Sequence, residues 1–239
     1  TVYGGTETDQ GHSAGTYRIV IIPAAVRHGF EWSEGPIEGV TGKIGAGADN
    51  VQAASSNWLM ADTSFSVQAR AFKKSKADIF VISSHPFTTC GILKELARQK
   101  ASPKMIVGLT SSSSAEVMKG CPKQAEGMII PTSFAPVTPE AKAVADVAAA
   151  NGASADLHSA AAWENVMIIK DVMETVGVSA NGENLQADRR AIRDGLEALK
   201  TTAGLIGTVT RNQEEGEALK PYVFVHAKGG NWEVLHDPR

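Results

Sequence analysis

From Ala77 to Phe134 short apolar runs alternate with polar loops and amphipathic stretches. Ala77-Asp-Ile-Phe-Val-Ile leads into Ser-Ser-His-Pro-Phe-Thr-Thr, after which Ile92, Leu93 and Leu96 recur at helical spacing. Met105-Ile-Val-Gly leads into Thr110–Ser114, and Gly127-Met-Ile-Ile-Pro into Thr132-Ser-Phe. Strands alternating with helices predict right-handed crossovers and a parallel sheet. The polar loops all follow the carboxyl ends of the strands, where open α/β sheets bind ligands. The pattern therefore predicts an α/β fold with a small-molecule site.

Elsewhere the pattern is uneven. Residues 1–16 are polar and Gly-rich and read as a loop or frayed end. Tyr17–Ile22 reads as a strand; a helix within 34–44 and a strand near 51–60 are expected. Phe65, Ala69 and Phe72 give a helix leaving through Lys73, Lys74 and Lys76, basic residues that suit a helix C-terminus. Thr138-Pro139-Glu140 starts a helix that runs to Asn151-Gly152. A longer one is expected from Leu157 to Val176, closed by Gly177, and another over Gln186–Lys200. Pro221 to Leu235 reads as a β-hairpin around Lys228-Gly-Gly-Asn. The expected parallel strands are 18–22, 78–82, 105–108 and 127–131, with the hairpin joining their lobe.

Composition narrows the picture. A net charge of −3, with 43% hydrophobic and 21% charged residues, describes an ordinary globular chain with no electrostatic reason to seek nucleic acid or an anionic membrane. No apolar run approaches the roughly 20 residues of a membrane span, and no signal peptide is visible. The chain begins with Thr, which reads as a processed or cut product. Cys90 and Cys121 are compatible with one disulfide or with two buried thiols. The 6 His show no metal-ligand spacing. Gly45-x-Gly47 lacks a third glycine at Asn50, and no Walker loop or Gly-x-Ser-x-Gly elbow is present. No cofactor is implied.

Several strings resemble type I periplasmic substrate-binding proteins of ABC transporters of the branched-chain amino acid type. They are Thr63-Ser-Phe-Ser-Val-Gln-Ala-Arg, Ala77-Asp-Ile-Phe-Val, Gln124-Ala-Glu-Gly-Met-Ile-Ile, Ala162-Trp-Glu-Asn-Val, Ile192-Arg-Asp-Gly-Leu and Lys228-Gly-Gly-Asn-Trp. The match covers roughly residues 60–239. The resemblance implies two α/β lobes joined by crossing strands, with a ligand clamped between them and no catalysis. It implies a membrane permease as partner and a periplasmic or extracytoplasmic location. It assigns 1–131 to the second lobe, 132–205 to helices of the first lobe and 206–239 to a return with the hairpin. The segment that opens the first lobe would precede residue 1, so the chain resembles a C-terminal portion. Helices 138–151 and 157–176 should then expose apolar residues such as Val144, Val147, Val166 or Met173; their full burial would mark a complete domain.

The resemblance places His85 and Phe87 where the family sets an aromatic over the ligand. The alternative is that Pro86 starts a helix and Phe87 is core. Thr110 falls near the acid that holds the ammonium in amino-acid-binding members, and Ser111 follows it. A hydroxyl cannot neutralise a buried ammonium, so a carboxylate or neutral ligand, aromatic included, is expected over a free α-amino acid. Ser113-x-x-Glu116 reads as a capping box, with Ser113 as cap. Phe134 sits at the presumed hinge and Trp163 near the cleft mouth; each fits a ligand wall or the core. Glu164 is either a supplier of missing charge or a solvated or capping acid.

A rival from another class is a two-cysteine racemase or decarboxylase, in which Cys90 and Cys121 would act as acid and base. That chemistry needs one cysteine from each lobe, and these lie 31 residues apart. A ligand-sensing regulatory domain of the same fold is the third reading.

Overall fold

The computed structural model describes residues 18–25, 51–55, 58–59, 62–212 and 218–239, with only the backbone course described before residue 62. The expected loop at 1–16, the helix within 34–44 and the Gly45-x-Gly47 string lie outside the described residues. In chain order the elements are β1 (Arg18–Ala25), β2 (Val51–Ser55), β3 (Trp58–Leu59), α1 (Ser66–Ser75), β4 (Ile79–Ser83), α2 (Pro86–Arg98), β5 (Met105–Gly108), α3 (Ala115–Gly120), α4 (Pro122–Ala125), β6 (Ile129–Thr132), α5 (Pro139–Ala150), α6 (Leu157–Val176), α7 (Leu185–Ala198), β7 (Thr201–Gly204), β8 (Gly207–Arg211), β9 (Ala218–Leu219), β10 (Val223–Lys228) and β11 (Asn231–His236). They group into two units: Thr1–Pro131 with Phe224–Pro238, and Thr132–Val223 with Arg239.

The first unit is built on a sheet ordered β11-β10-β6-β5-β4-β1-β2, with β3 beside β1. β1, β4, β5 and β6 are mutually parallel, in registers such as Ile21 opposite Val81, Ile82 opposite Gly108 and Val107 opposite Ile129. The hairpin β10–β11 adds antiparallel strands at the β6 edge. Its turn uses Gly229 and Gly230 at φ 58° and 81°, a region open to glycine without steric cost. The Glu126 carboxylate accepts from Gly229 N at 3.1 Å and ties the turn down.

Alternation along β4 closes Phe80 and Ile82 from solvent, and the edge of the Phe72 ring meets Phe80 at a centroid distance of 5.2 Å. α2 buries Ile92, Leu93 and Leu96, each worth about 1.5–3 kcal/mol relative to exposure. Its Gly91 faces Phe65, where a Cβ would lie 2.2 Å from the ring. The absent side chain is therefore what admits the aromatic. The Cys90–Cys121 pair is a disulfide with Cα atoms 5.5 Å apart, so the alternative of two thiols is set aside.

The second unit holds α5–α7 and a three-stranded antiparallel sheet, β7-β8-β9, which the sequence pattern did not announce. Thr138 caps α5 by accepting from Ala141 N at 3.0 Å, and it donates to Leu205 O at 2.5 Å. Asp156 and Ser159 form a capping box at the start of α6, and Gly177 ends that helix at φ 69°. α6 and α7 approach closely at Gly195, where a Cβ would meet Val172 at 2.7 Å.

β8 and Lys220 group with this unit. β8 pairs with β7, and Lys220 is ion-paired with Glu164 of α6, which holds them here. Val147, Val166 and Met173 are exposed as expected, while Val144 is half-buried. Trp163 and Met167 extend the exposed stripe along α6.

Candidate functional site

The candidate site residues of the first unit lie where β4 and β5 end. Ser84 leaves β4, and His85 precedes α2 in extended conformation, φ −79° and ψ 161°. Pro86 opens the helix, since its fixed φ suits the first turn and its missing N–H has no helical partner there. That start carries Phe87 outward: its ring is 68% exposed, so the core alternative for Phe87 is wrong. His85 is exposed beside it in the chain.

β5 feeds a single 3-10 turn, Thr110–Ser112, before α3. Leu109 N donates to Ile82 O at 2.9 Å, which seats the turn on the end of β4. Ser111 Oγ and Ser112 Oγ both donate to the Ser84 carbonyl, at 2.8 and 2.9 Å. Ser112 Oγ also lies 2.9 Å from Thr89 Oγ1, and Ser84 Oγ is bonded to Thr88 Oγ1. The buried hydroxyls Ser84, Thr88, Thr89 and Ser112 thus satisfy one another and the backbone, as burial of polar groups requires. Ser113 is not the cap of α3. It donates to Thr110 O at 2.8 Å, and Ser114 caps by accepting from Glu116 N at 3.2 Å. The 3-10 turn takes up Ser111 and Ser112, which moves the helix start one residue on.

Among these side chains the proton of Ser111 is committed to Ser84 O, leaving its oxygen as an acceptor. The half-buried Thr110 hydroxyl makes no hydrogen bond among the described residues. Neither loop, 84–88 or 109–114, contains a carboxylate. His85, Phe87, Thr110 and Ser111 therefore share one end of one sheet. Phe134 and Trp163 belong to the second unit. Phe134 is buried, and its N donates to Thr132 Oγ1 at 3.4 Å; Trp163 is 46% exposed on α6.

Glu164 is neither a solvated acid nor a free counter-charge. It accepts from Leu205 N at 2.7 Å and pairs with Lys220, so its carboxylate is committed within its own unit. Sequence reasoning missed Thr89 and Ser112 as parts of this end of the sheet. Thr89 sits on the inward face of α2 with Ile92, Leu93 and Leu96, a spacing that could have flagged it as a buried polar residue needing a partner. Both cysteines are oxidised to one disulfide, so no thiol pair exists to serve as acid and base, and the racemase-type reading fails. Among the described residues no group of three or more His, Cys, Asp or Glu is placed to hold a metal, and no helix is long and apolar enough to cross a membrane.

A parallel sheet flanked by helices, with polar loops at its carboxyl ends and a returning hairpin, matches the periplasmic-binding-protein type I fold. The family model described as periplasmic binding protein matches residues 28–231, and the chain belongs to that family. Comparison with curated protein sequences returned no match. Among solved structures, the chain is similar to the leucine-binding protein LivK of Thermotoga maritima, at 18% identity and a TM-score of 0.74, over 93% of this chain and 61% of that one. It is similar to the branched-chain amino acid transporter substrate-binding protein LivJ of Streptococcus pneumoniae in complex with isoleucine, at 16% identity and a TM-score of 0.72, over 92% and 60%. A solute-binding protein of an ABC transporter from Rhodopseudomonas palustris, in complex with benzoate, matches at 15% identity and a TM-score of 0.74, over 93% and 59%. The chain thus spans about three fifths of the length of each (61%, 60% and 59%).

Proposed function

We propose that this chain is part of a solute-binding component of an ABC uptake transporter. In this reading His85, Phe87, Thr110 and Ser111 form one wall of a ligand site. The observation that carries the reading is the exposed Phe87 ring at the start of α2, on the loop adjacent to a Thr110 hydroxyl with no partner among the described residues. An aromatic ring held outward on a fixed helix start, at the same end of the sheet as an unused hydroxyl, serves binding better than packing.

The ligand is a small organic carboxylate or neutral molecule, with an aromatic ring accommodated on Phe87. Two features support this over a free α-amino acid. The two loops carry no carboxylate, and Glu164 is already paired with Lys220. A buried ammonium would lose several kcal/mol without a counter-charge. Among the structural relatives, one is in complex with benzoate and another with isoleucine, so both ligand classes occur on this fold.

The protein catalyses nothing, delivers its ligand to a membrane permease and works outside the cytoplasm. The disulfide supports that location, since such bonds persist in oxidising compartments. Calorimetry of the full chain with benzoate, leucine and isoleucine tests the reading. Benzoate binding with the amino acids silent is expected. Tight leucine or isoleucine binding with benzoate silent would overturn the ligand assignment.

A further inference from the structure

The buried hydroxyls and the disulfide converge on the same two loops. Thr89 and Ser112 are both closed from solvent and stand 23 residues apart, yet their hydroxyl oxygens are 2.9 Å from each other. Thr89 is on α2 two residues after Phe87. Ser112 ends the turn that Thr110 begins. The residue after Thr89, Cys90, is bonded to Cys121, which follows α3, the helix fed by the 110–114 loop. The stretch from Thr110 to Cys121 is thus fastened to the α2 segment near both of its ends. Trp232 of β11 adds a hold from the hairpin, donating from Nε1 to Ser114 O at 3.1 Å.

We infer that Thr89, Ser112 and the Cys90–Cys121 disulfide are positioning residues that set the spacing of Phe87 and Thr110 before a ligand arrives. The inference rests on the reading of these loops as a binding wall. None of the four has its polar or sulfur atoms directed to solvent: Thr89, Ser112 and Cys121 are almost wholly buried and Cys90 nearly so. Their effect on a ligand therefore runs through the loops. A loop ordered in advance loses less conformational freedom on binding, so a pre-set spacing appears as affinity.

The test compares the full wild-type chain with Thr89→Val, Thr89→Ser and the double variant Cys90→Ala/Cys121→Ala. Amide hydrogen exchange is read at residues 109–117 and, as internal control, in α1. Calorimetry with benzoate and leucine reads affinity. In Thr89→Val and the double variant, exchange at 112–114 should rise about tenfold or more while α1 stays within about twofold. The dissociation constant of whichever probe binds the wild type should rise about fivefold or more, with Thr89→Ser near wild type. Unchanged loop exchange overturns the inference. So does acceleration spread equally to α1, or a loosened loop with unaltered affinity. If neither probe binds the wild type while the local exchange effect is present, the clasp stands and the ligand assignment fails. Thr89→Val keeps the test decisive if the double variant does not fold.

Discussion

Glu164 and Lys220, 56 residues apart, are ion-paired in a place where Glu164 is only 7% exposed. The same carboxylate accepts from Leu205 N at the turn between β7 and β8. One acid on α6 thus fixes both the turn and the link between β9 and β10. A Cβ at Gly204 would come within 2.9 Å of Glu164 Oε1, so glycine at that position is what lets the carboxylate reach the turn.

Removing one partner leaves a nearly buried charge without compensation. Lys220→Met should destabilise the second unit by about 2–3 kcal/mol. Glu164→Gln combined with Lys220→Met should cost clearly less than the sum of the singles. Urea unfolding of the four proteins measures this. Simple additivity would mean that the pair contributes no coupling.

Phe87 makes an opposite prediction. With its ring mostly in solvent, Phe87→Ala should leave unfolding free energy within about 0.5 kcal/mol of wild type. In the presence of a bound ligand the same change should weaken affinity about tenfold or more, as loss of an aromatic anchor does. A large stability loss with unaltered binding would return Phe87 to the core.

Glu95 offers a pH test. Its hydrogen bond from Arg98, then that from Gln99, lowers its pKa from 4.5 to about 2. A carboxyl depressed on folding stabilises the fold fully above the unfolded value, and that share is lost as pH falls from about 4.5 toward about 2. Because the Arg98 side chain is 69% exposed, solvent screening limits the contribution to no more than about 1 kcal/mol. Glu95→Gln should flatten the acid limb of stability against pH by that amount. Identical acid limbs for the two proteins would refute the assignment.

Gly91 tests the packing of α1 and its preceding residue on α2. A Cβ there would overlap the Phe65 ring, so Gly91→Ala should cost about 1–3 kcal/mol despite its better helix propensity. Phe65→Leu in the same chain should recover part of the loss. A stabilising Gly91→Ala, measured by thermal unfolding, would show that the ring moves aside freely.

What the sequence by itself determined was local and periodic. Phe65, Ala69 and Phe72 announced α1, Thr138-Pro139-Glu140 announced α5, and Leu157–Val176 with Gly177 matched α6 end to end, because caps and apolar spacing act over a few residues. The parallel strands and the hairpin around Gly229-Gly230 followed from the same kind of signal. Tertiary structure alone decided the rest. Whether Cys90 and Cys121 bond depends on α2 and α3 docking against each other. Whether Ser113 or Ser114 caps α3 depends on how far a 3-10 turn runs. The role of Glu164 depends on Leu205 and Lys220, far along the chain, and β7–β9 consist of short Thr- and Gly-containing segments with too little apolar alternation to read. Short-range steric and hydrogen-bond preferences are written in neighbouring residues. The partner that satisfies a buried charge or hydroxyl is chosen only when distant segments meet.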